Sequence, residues 1–179
     1  MISISYLQTE DAPGHQRALD CGAGIGRITK HLLVKHFEKV DLVEQNKLFL
    51  EKAGEYLKNN DKVGSLFCSG LQNFVPQEGH YDVIWCQWVL GHLTDDHLVD
   101  FFKRCLKGLK PNGYLIVKEN LTSSGEVEKD DEDSSVTRPE ELLKKIFDNA
   151  GLKIVLDMKQ TKMPQGLYPV KMYAMRMEK

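Results

Sequence analysis

Three glycines on alternate positions, directly after a short apolar run, constrain this chain more than any other feature. The segment Ala18–Arg27 contains Gly22, Gly24 and Gly26, and a helical pattern follows it. Glycines at this spacing permit a sharp turn and leave no Cβ in the way of a ligand. A turn that leads into a helix also presents free backbone N–H groups. The segment therefore predicts a nucleotide-like cofactor site at the carboxyl end of a strand.

Two classes of cofactor compete for this turn. Nicotinamide and flavin sites usually carry G-x-G-x-x-G, whose helix receives a pyrophosphate, whereas this chain reads G-x-G-x-G directly after Asp20 and Cys21. A carboxylate there suits the cationic sulfonium of S-adenosylmethionine and would repel a phosphate. Arg27 is placed to pair with a methionine carboxylate, and Glu44 follows the next strand, where an acid meets ribose hydroxyls. The pattern favours S-adenosylmethionine; a plain glycine turn with a surface glutamate is the alternative.

Strand and helix patterns alternate along the chain. The predicted strands are Arg17–Leu19, Lys39–Val43, Val63–Cys68, Tyr81–Gln87, Tyr114–Lys118, Lys153–Met158 and Tyr168–Met175. The predicted helices are Ile28–Phe37, Lys47–Asn59, Thr94–Leu109 and a helix to Ala150 that begins in a capping box, Thr137–Glu140, with Gly151 behind it. Pro111–Gly113 reads as a turn, and Leu121–Val136 as a long irregular segment. This alternation predicts a doubly wound α/β sheet with helices on both faces.

Length and composition narrow the class of protein. The 179 residues fit one domain, predicted as residues 17–179 after an irregular lead of residues 1–16. A net charge of −2 gives no bulk attraction to nucleic acid or to a membrane. The four cysteines are widely spaced, which predicts reduced, packed thiols and no metal site. Met1–Tyr6 shows neither a signal peptide nor a membrane span.

Polar and aromatic residues follow the fourth and fifth predicted strands. Trp88 offers a flat apolar wall, His92 belongs to the residue type that titrates near neutral pH, and Asn120 offers a donor and an acceptor. Six acids lie between Glu126 and Asp133. Taken singly, these residues also suit a core tryptophan, a satisfied histidine and a solvated loop. Taken together at adjacent strand ends, they predict a pocket for a positively charged acceptor.

Four motifs give the chain a specific resemblance. The segments Asp20–Arg27, Asp82–Trp88, Gly91–Asp95 and Asp133–Val136 resemble the protein N-terminal methyltransferases from about Arg17 to the C-terminus. That family methylates the α-amine of proteins that begin Xaa-Pro-Lys or Xaa-Pro-Arg after removal of the initiator methionine. The resemblance implies S-adenosyl-L-methionine as cofactor, protein N-termini as partners, and a location in nucleus and cytoplasm. It also implies the Rossmann-like, seven-stranded sheet of class I methyltransferases, with an antiparallel last strand.

The resemblance assigns roles to individual residues. It places the cofactor at Gly22, Gly24, Arg27, Glu44, Leu71, Gln72 and Gln87. It places the substrate at Trp88, Asn120, Asp130, Asp133 and Ser135, with the proline on Trp88, the first residue at Asn120 and the cationic third residue at the two acids. His92 and Asp133 fall on the proton-accepting pair. Glu44 stands where relatives often have Asp, a change that keeps the ribose contact.

One departure from the family leaves two further hypotheses open. Relatives carry a helical segment before the first strand that closes over the ligands, whereas Met1–Gln16 has no helical periodicity. The sequence therefore predicts either a form without this cap or a cap that is supplied otherwise. A weakly active or inert fold that binds basic N-termini, and a small-molecule amine methyltransferase, remain alternatives. The number of methyl groups transferred, the protein substrates and the oligomeric state are not predicted.

Overall fold

The fold is built on one mixed β-sheet. The computed structural model describes residues 12–161, 164 and 166–177. The strands are β1 (Arg17–Cys21), β2 (Lys39–Glu44), β3 (Val63–Cys68), β4 (Tyr81–Gln87), β5 (Leu109–Thr122), β6 (Glu128–Asp130), β7 (Ser135–Pro139), β8 (Leu152–Lys159) and β9 (Val170–Met177). The α-helices are α1 (Arg27–His31), α2 (Lys47–Tyr56), α3 (Asp95–Gly108) and α4 (Glu140–Asn149).

The strand order places a crevice at the ends of β1 and β4. Strands β3, β2, β1, β4 and β5 lie side by side and parallel, in that order. Strand β9 pairs antiparallel with β5, and β8 pairs with β9. These seven strands confirm the predicted doubly wound sheet and its antiparallel last strand. Because the chain leaves β1 towards β2 but returns to β4 on the other side, the carboxyl ends of β1 and β4 form a topological switch point, where such sheets bind ligands.

Both faces of the sheet are covered, as the nearly continuous apolar run of β4 predicts. Val83 and Trp85 pack on one side in a cluster that includes Phe37. Ile84 and Cys86 pack on the other side against residues of α3. The buried stripe of α3 has helical spacing, and its members are Leu98, Phe101, Phe102 and Cys105. The predicted start of this helix is confirmed, because the Thr94 hydroxyl accepts the His97 N–H at 3.3 Å.

A hairpin of β6 and β7 extends the sheet beyond the seven strands, and it corrects two predictions. Strands β6 and β7 pair antiparallel, and β7 also lies parallel to the end of β5, with Arg138 opposite Leu121. The segment Leu121–Val136 is therefore mostly strand and turn. The prediction of a capping box at Thr137–Glu140 is wrong, because Thr137 lies in β7 and pairs with Glu128 inside the hairpin. Helix α4 begins after Pro139, and within the described residues no side chain caps it.

Three local predictions also need correction. The residues of the predicted turn at Pro111–Gly113 lie within β5, where Tyr81 pairs with Leu109 but Val83 pairs with Tyr114, so the extra residues form a bulge. Helix α1 is short, and a 3-10 turn, Leu33–Lys35, follows it. Cys68 is exposed, and the other three cysteines are buried free thiols.

The prediction that Met1–Gln16 is irregular remains untested over its first eleven residues. Residues 1–11 lie outside the described residues, and so does any cap that they would form. Over the ranges that the structure describes, no helix has both the length and the apolar composition needed to cross a bilayer.

Candidate active site

Two adjoining cavities lie at the carboxyl ends of β1, β4 and β5. The first, here called the glycine-turn cavity, has a volume of about 310 Å³ and is lined by Gly22, Gly24, Glu44, Leu71, Gln72, Trp88, Val89 and His92, among others. The second, here called the hairpin cavity, has a volume of about 630 Å³ and is lined by Trp88, His92, Glu119, Asn120, Glu128, Asp130, Asp133, Ser135 and Tyr168, among others. Trp88 and His92 line both cavities, so the two spaces share a wall.

The glycine turn supplies room but few hydrogen-bond donors. Gly22 and Gly24 have φ values of +67° and +55°, which glycine adopts without strain. The N–H groups of Gly22 and Ala23 donate to the Val43 carbonyl at 2.9 and 3.1 Å. The Gly24 N–H donates to Glu44 Oε2 at 2.9 Å. Because these donors are already paired, the turn is a poor binding site for a pyrophosphate, and this favours a cofactor without one.

Glu44 lies at the end of β2 and lines the glycine-turn cavity, as predicted. Its carboxylate accepts the Gly24 N–H and, through Oε1 at 2.8 Å, the Asn46 N–H. Each carboxylate oxygen has a second acceptor site. The residue therefore fixes the shape of the turn and still offers acceptors for ribose hydroxyls.

Asp20 does not take the position that the sequence suggested. Its side chain is 2 % exposed, and its Oδ2 accepts the Thr29 hydroxyl at 2.6 Å and the Thr29 N–H at 3.1 Å. Burial raises the pKa of Asp20 to about 6. Asp20 is absent from the described residues that line the two cavities. It anchors α1 to β1, and a direct contact with a sulfonium is not supported.

Arg27 and Gln87 are also missing from the described linings of both cavities. Arg27 is exposed at the first position of α1. The Gln87 side-chain oxygen accepts the indole N–H of Trp85 at 3.3 Å. Their cofactor roles stay predictions.

Leu71 and Gln72 line the glycine-turn cavity and are held by a residue that the sequence did not reveal. Arg104 of α3 donates through Nη2 to the carbonyls of Leu71 and Gln72 at 2.8 and 3.0 Å. Its Nε donates to the Phe74 carbonyl at 2.8 Å. This guanidinium therefore fixes the loop that carries both predicted cofactor residues.

Trp88 is part of the site and not of the core. The residue is 51 % exposed, and its φ of +53° is unusual for a bulky residue. The backbone N–H donates to the Lys118 carbonyl at 3.1 Å, and the indole N–H donates to Asn120 Oδ1 at 3.1 Å. The Lys118 ammonium lies 4.9 Å from the ring centroid. Strained backbone of this kind costs about 1–3 kcal/mol and persists where several contacts hold it, often at functional sites.

His92 and Asp133 both line the hairpin cavity. His92 ends a 3-10 turn, Leu90–His92, and Asp133 lies in the turn between β6 and β7. Asp133 accepts the Ser135 N–H at 2.9 Å. Hydrogen bonds from the Ser135 hydroxyl and N–H, together with attraction to His92, hold the pKa of Asp133 below its ordinary value. The carboxylate is therefore charged, and it lines the same cavity as the His92 imidazole.

The acidic wall of the hairpin cavity is larger than the sequence predicted. Asp130 lines it, with its Oδ1 accepting the Glu132 N–H at 2.9 Å. Glu128 lines it as well, and accepts hydrogen bonds from the Ser124 and Tyr168 hydroxyls. Residues two apart in a strand share a face, so a predicted strand over 128–130 would have found Glu128. The sequence around Tyr168 did not indicate a place in this site, because Tyr168 lies in the connection between β8 and β9, far along the chain from Glu128.

Comparison with known proteins agrees with this geometry. Residues 3–176 match the family model described as AdoMet-dependent proline di-methyltransferase. The chain is 51 % identical over 164 residues to N-terminal Xaa-Pro-Lys N-methyltransferase 1 of Xenopus tropicalis, covering 91 % of this chain and 73 % of that protein. It is 50 % identical over 159 residues to alpha N-terminal protein methyltransferase 1 of Caenorhabditis elegans, covering 89 % and 68 %.

Solved structures share the fold. A SAM-dependent methyltransferase from Leishmania major superposes with a TM-score of 0.91 at 40 % identity, over 96 % of this chain and 68 % of that one. The 1,6-didemethyltoxoflavin-N1-methyltransferase of Burkholderia thailandensis, solved with S-adenosylhomocysteine, gives a TM-score of 0.79 at 17 % identity, over 98 % and 76 %. At that identity the second likeness concerns the fold alone.

Proposed function

This chain belongs to the AdoMet-dependent proline di-methyltransferase family, and from that membership we propose that it methylates the α-amine of proteins that begin Xaa-Pro-Lys or Xaa-Pro-Arg. The observation that carries the proposal is the wall of Trp88 and His92 shared by the two cavities. One cavity is shaped by glycines and the other is lined by acids, so a cofactor and a cationic peptide would meet across this wall. The names of the relatives support the same substrate class.

The chain is an S-adenosylmethionine-dependent methyltransferase, and the glycine-turn cavity suits that cofactor. Its volume of about 310 Å³ lies at the lower end of the usual range for small-molecule sites. Glu44 would accept the ribose hydroxyls, and Leu71 and Gln72 would contact the cofactor elsewhere in the cavity. When bound, S-adenosylmethionine supplies an electrophilic methyl group.

The hairpin cavity suits the first three residues of a peptide. The exposed face of Trp88 offers an apolar surface for a proline ring. Asn120 uses its carbonyl oxygen for the Trp88 indole, which leaves its amide NH₂ to donate to the peptide. Asp130 and Asp133 offer carboxylates for a cationic third side chain, and charge-assisted contacts of this kind are the stronger class of hydrogen bond.

His92 and Asp133 account for the proton. An α-amine has a pKa of about 7.7–8.0, so much of it is neutral at cellular pH, whereas a lysine amine at about 10.4 stays charged. The pair would take up the remaining proton, which leaves the nitrogen lone pair free to attack the methyl group that the cofactor would supply. The α-amine is therefore the nucleophile, and the third-residue lysine serves as a handle.

Mass spectrometry after incubation with S-adenosylmethionine tests the proposal. An Xaa-Pro-Lys peptide should gain methyl groups on its α-amine. The same peptide with an acetylated N-terminus should gain none, and an Xaa-Pro-Gln peptide should react more slowly. Methylation of the acetylated peptide would indicate a lysine methyltransferase instead. Methylation of small free amines alone would indicate a small-molecule methyltransferase. Cofactor binding without turnover of any peptide would favour an inert binding protein.

We also propose, from the family resemblance, that the protein resides in nucleus and cytoplasm. Imaging of the tagged protein in fixed cells tests this. Confinement to a membrane-bound secretory compartment would contradict it.

A further inference from the structure

The segment Trp88–Leu93, here called the wall segment, carries both residues that the two cavities share. It contains only a short 3-10 turn, and its N-terminal residue has a positive φ. Its internal hydrogen bonds are long, at 3.4 Å for His92 N–H to Val89 O and 3.2 Å for Leu93 N–H to Leu90 O. Such a segment does not hold its own geometry, so groups outside it must do so.

Arg138 binds the wall segment from the hairpin side. Its side chain is buried within β7, and the residue is 5 % exposed. Nη1 donates to the Leu90 carbonyl at 3.1 Å and Nη2 to the Leu93 carbonyl at 2.6 Å. Nε donates to Asp95 Oδ1 at 2.8 Å. One rigid guanidinium thus ties both ends of the 3-10 turn to the first turn of α3.

Glu119 binds the same segment from the β5 side. Its Oε1 accepts the N–H groups of Val89 and Leu90, each at 2.9 Å. Glu119 and Arg138 also attract each other electrostatically, since Arg138 favours the charged form of this carboxyl. Two N–H groups of the segment are therefore held by a carboxyl group and two of its carbonyls by a guanidinium.

The hairpin packs tightly against the wall segment at one point. A Cβ on Gly91 would lie 2.7 Å from the Val136 carbonyl oxygen, closer than real Cβ contacts. Val136 and Arg138 belong to the strand that continues from the turn carrying Asp133. The position of His92 relative to Asp133 thus depends on how β7 is fixed to this segment.

We propose that Arg138 is a positioning residue for methyl transfer, which with Glu119 fixes the wall segment so that His92 faces Asp133 across the peptide amine. The proposal deepens the proposed function and rests on it. Arg138 lines neither cavity among the described residues, and so acts only through the segment that it binds. The alternative is a purely structural ion pair, whose loss would lower stability without changing the site of the folded enzyme.

Two variants at Arg138 and one control separate these cases. Arg138→Gln removes the charge and one arm of the fork, and Arg138→Lys keeps the charge but not the planar geometry. Lys110→Met is the matched control: Lys110 pairs with the buried Asp82 at 2.8 Å, at the start of β4 and β5 and away from the site. All three remove or weaken hydrogen bonds to buried polar groups and should lower the melting temperature, although Asp82 keeps the Arg17 N–H as a donor.

Only the Arg138 variants should change the chemistry. For Arg138→Gln we expect kcat on an Xaa-Pro-Lys peptide to fall about tenfold or more, because a lost buried charged contact has effects of this size. The cofactor Kd, measured by calorimetry, should stay within about twofold, and Arg138→Lys should recover part of kcat. Lys110→Met should keep kcat at a temperature where it is folded. An equal loss of kcat in Arg138→Gln and Lys110→Met, or none in either, would overturn the proposal.

A second readout does not need turnover. Trp88 is exposed, whereas Trp85 is buried, so acrylamide quenching of fluorescence reports mainly on Trp88. Quenching should change in Arg138→Gln and stay unchanged in Lys110→Met; unchanged quenching in both would count against a positioning role. If the wild-type enzyme methylates no Xaa-Pro-Lys peptide, the proposed function fails, and quenching still decides whether Arg138 fixes the segment.

Discussion

The glycine turn and the β6–β7 hairpin face each other across the site and are built on opposite principles. In the turn, the N–H groups of Gly22, Ala23 and Gly24 are paired inside the protein, and the ligand is offered space. In the hairpin, carboxylates such as Asp130 and Asp133 stand exposed, and the ligand is offered charge. On the proposed function, the first region would select its ligand by shape and the second by electrostatics, and each substitution below should affect one region and spare the other.

The largest effect is expected from Gly22→Ala. A Cβ there would lie 2.3 Å from Val89 Cγ2, and the φ of +67° already disfavours alanine. Overpacking costs about 1–3 kcal/mol, and a left-handed residue about 1–2 kcal/mol more. Thermal denaturation and cofactor titration should both show the loss. Gly24→Ala is the control, because no described heavy atom lies within 4 Å of its Cβ position, so it carries the strain without the clash. Equal losses in the two variants would mean that space is not what the turn provides.

Asp133→Asn should change the other region alone. It keeps the size of the side chain and removes the charge that faces His92 and the substrate cation. We expect kcat/KM on an Xaa-Pro-Lys peptide to fall about ten- to hundredfold, with an unchanged cofactor Kd. Glu132→Gln is the control, since Glu132 lies in the same turn but does not line the hairpin cavity among the described residues. Glu128 would be a poor control because it lines that cavity. Similar kinetics for Asp133→Asn and Glu132→Gln would mean that these acids belong to a solvated loop with no role in peptide binding.

The pH dependence of stability should separate two carboxyls with raised pKa values, Glu119 beside the hairpin and Asp20 beside the glycine turn. Burial raises the pKa of Glu119, beside the hairpin cavity, to about 7 from an ordinary 4.5. A raised pKa means that the folded state holds the proton more tightly, so Glu119 should lower the free energy of unfolding as pH rises from about 4.5 to 7. The slope from one group reaches about 1.4 kcal/mol per pH unit.

Chemical denaturation across this range measures the slope. Glu119→Gln should remove the fall in the free energy of unfolding above pH 6. The fall below pH 6 should persist, because Asp20 near the glycine turn has a pKa of about 6 and contributes there. A slope above pH 6 that survives in Glu119→Gln would assign it to another group.

The smallest effect is expected from Glu44→Gln. The amide keeps one oxygen acceptor but loses the charge, and the difference between charged and neutral hydrogen bonds is about 1 kcal/mol. The cofactor Kd should rise about fivefold, and the KM for peptide at saturating cofactor should not change. Calorimetry and steady-state kinetics check the two values. A changed peptide KM with an unchanged cofactor Kd would contradict the division between the regions.

The same division explains what the sequence could predict. The bounds of β3 and β4 were predicted correctly, because continuous or bounded strand patterns are local signals. The cavity residues on the glycine turn and after β4 were also found, since they follow strand ends. The hairpin was not predicted. Thr137–Glu140 has the sequence pattern of a helix cap, whereas in the structure Thr137 pairs with Glu128 of the neighbouring strand.

Two residues of the site were also not predicted, because they contact residues far away in sequence. Tyr168 reaches Glu128 across 40 positions of sequence, and Arg104 reaches the Leu71 carbonyl across 33. No spacing rule links such pairs, because their contact depends on the packing of whole elements. Asp20 misled in the opposite way: its place beside the glycines suggested a ligand contact, but its real partner is the first turn of the next helix.

The hairpin has a consequence for how this enzyme can be altered. Within the described part of the chain, the hairpin pairs with the main sheet only at the carboxyl-terminal end of β5 and leaves the pairing of the other six strands untouched. On the proposed function, the acids that would hold the third residue of the acceptor lie on this hairpin, whereas the residues that would hold the methyl donor lie on the parallel strands and their loops. A library that exchanges this hairpin while keeping Arg138 as its anchor offers a route to new methyl acceptors without redesign of the methyl donor site.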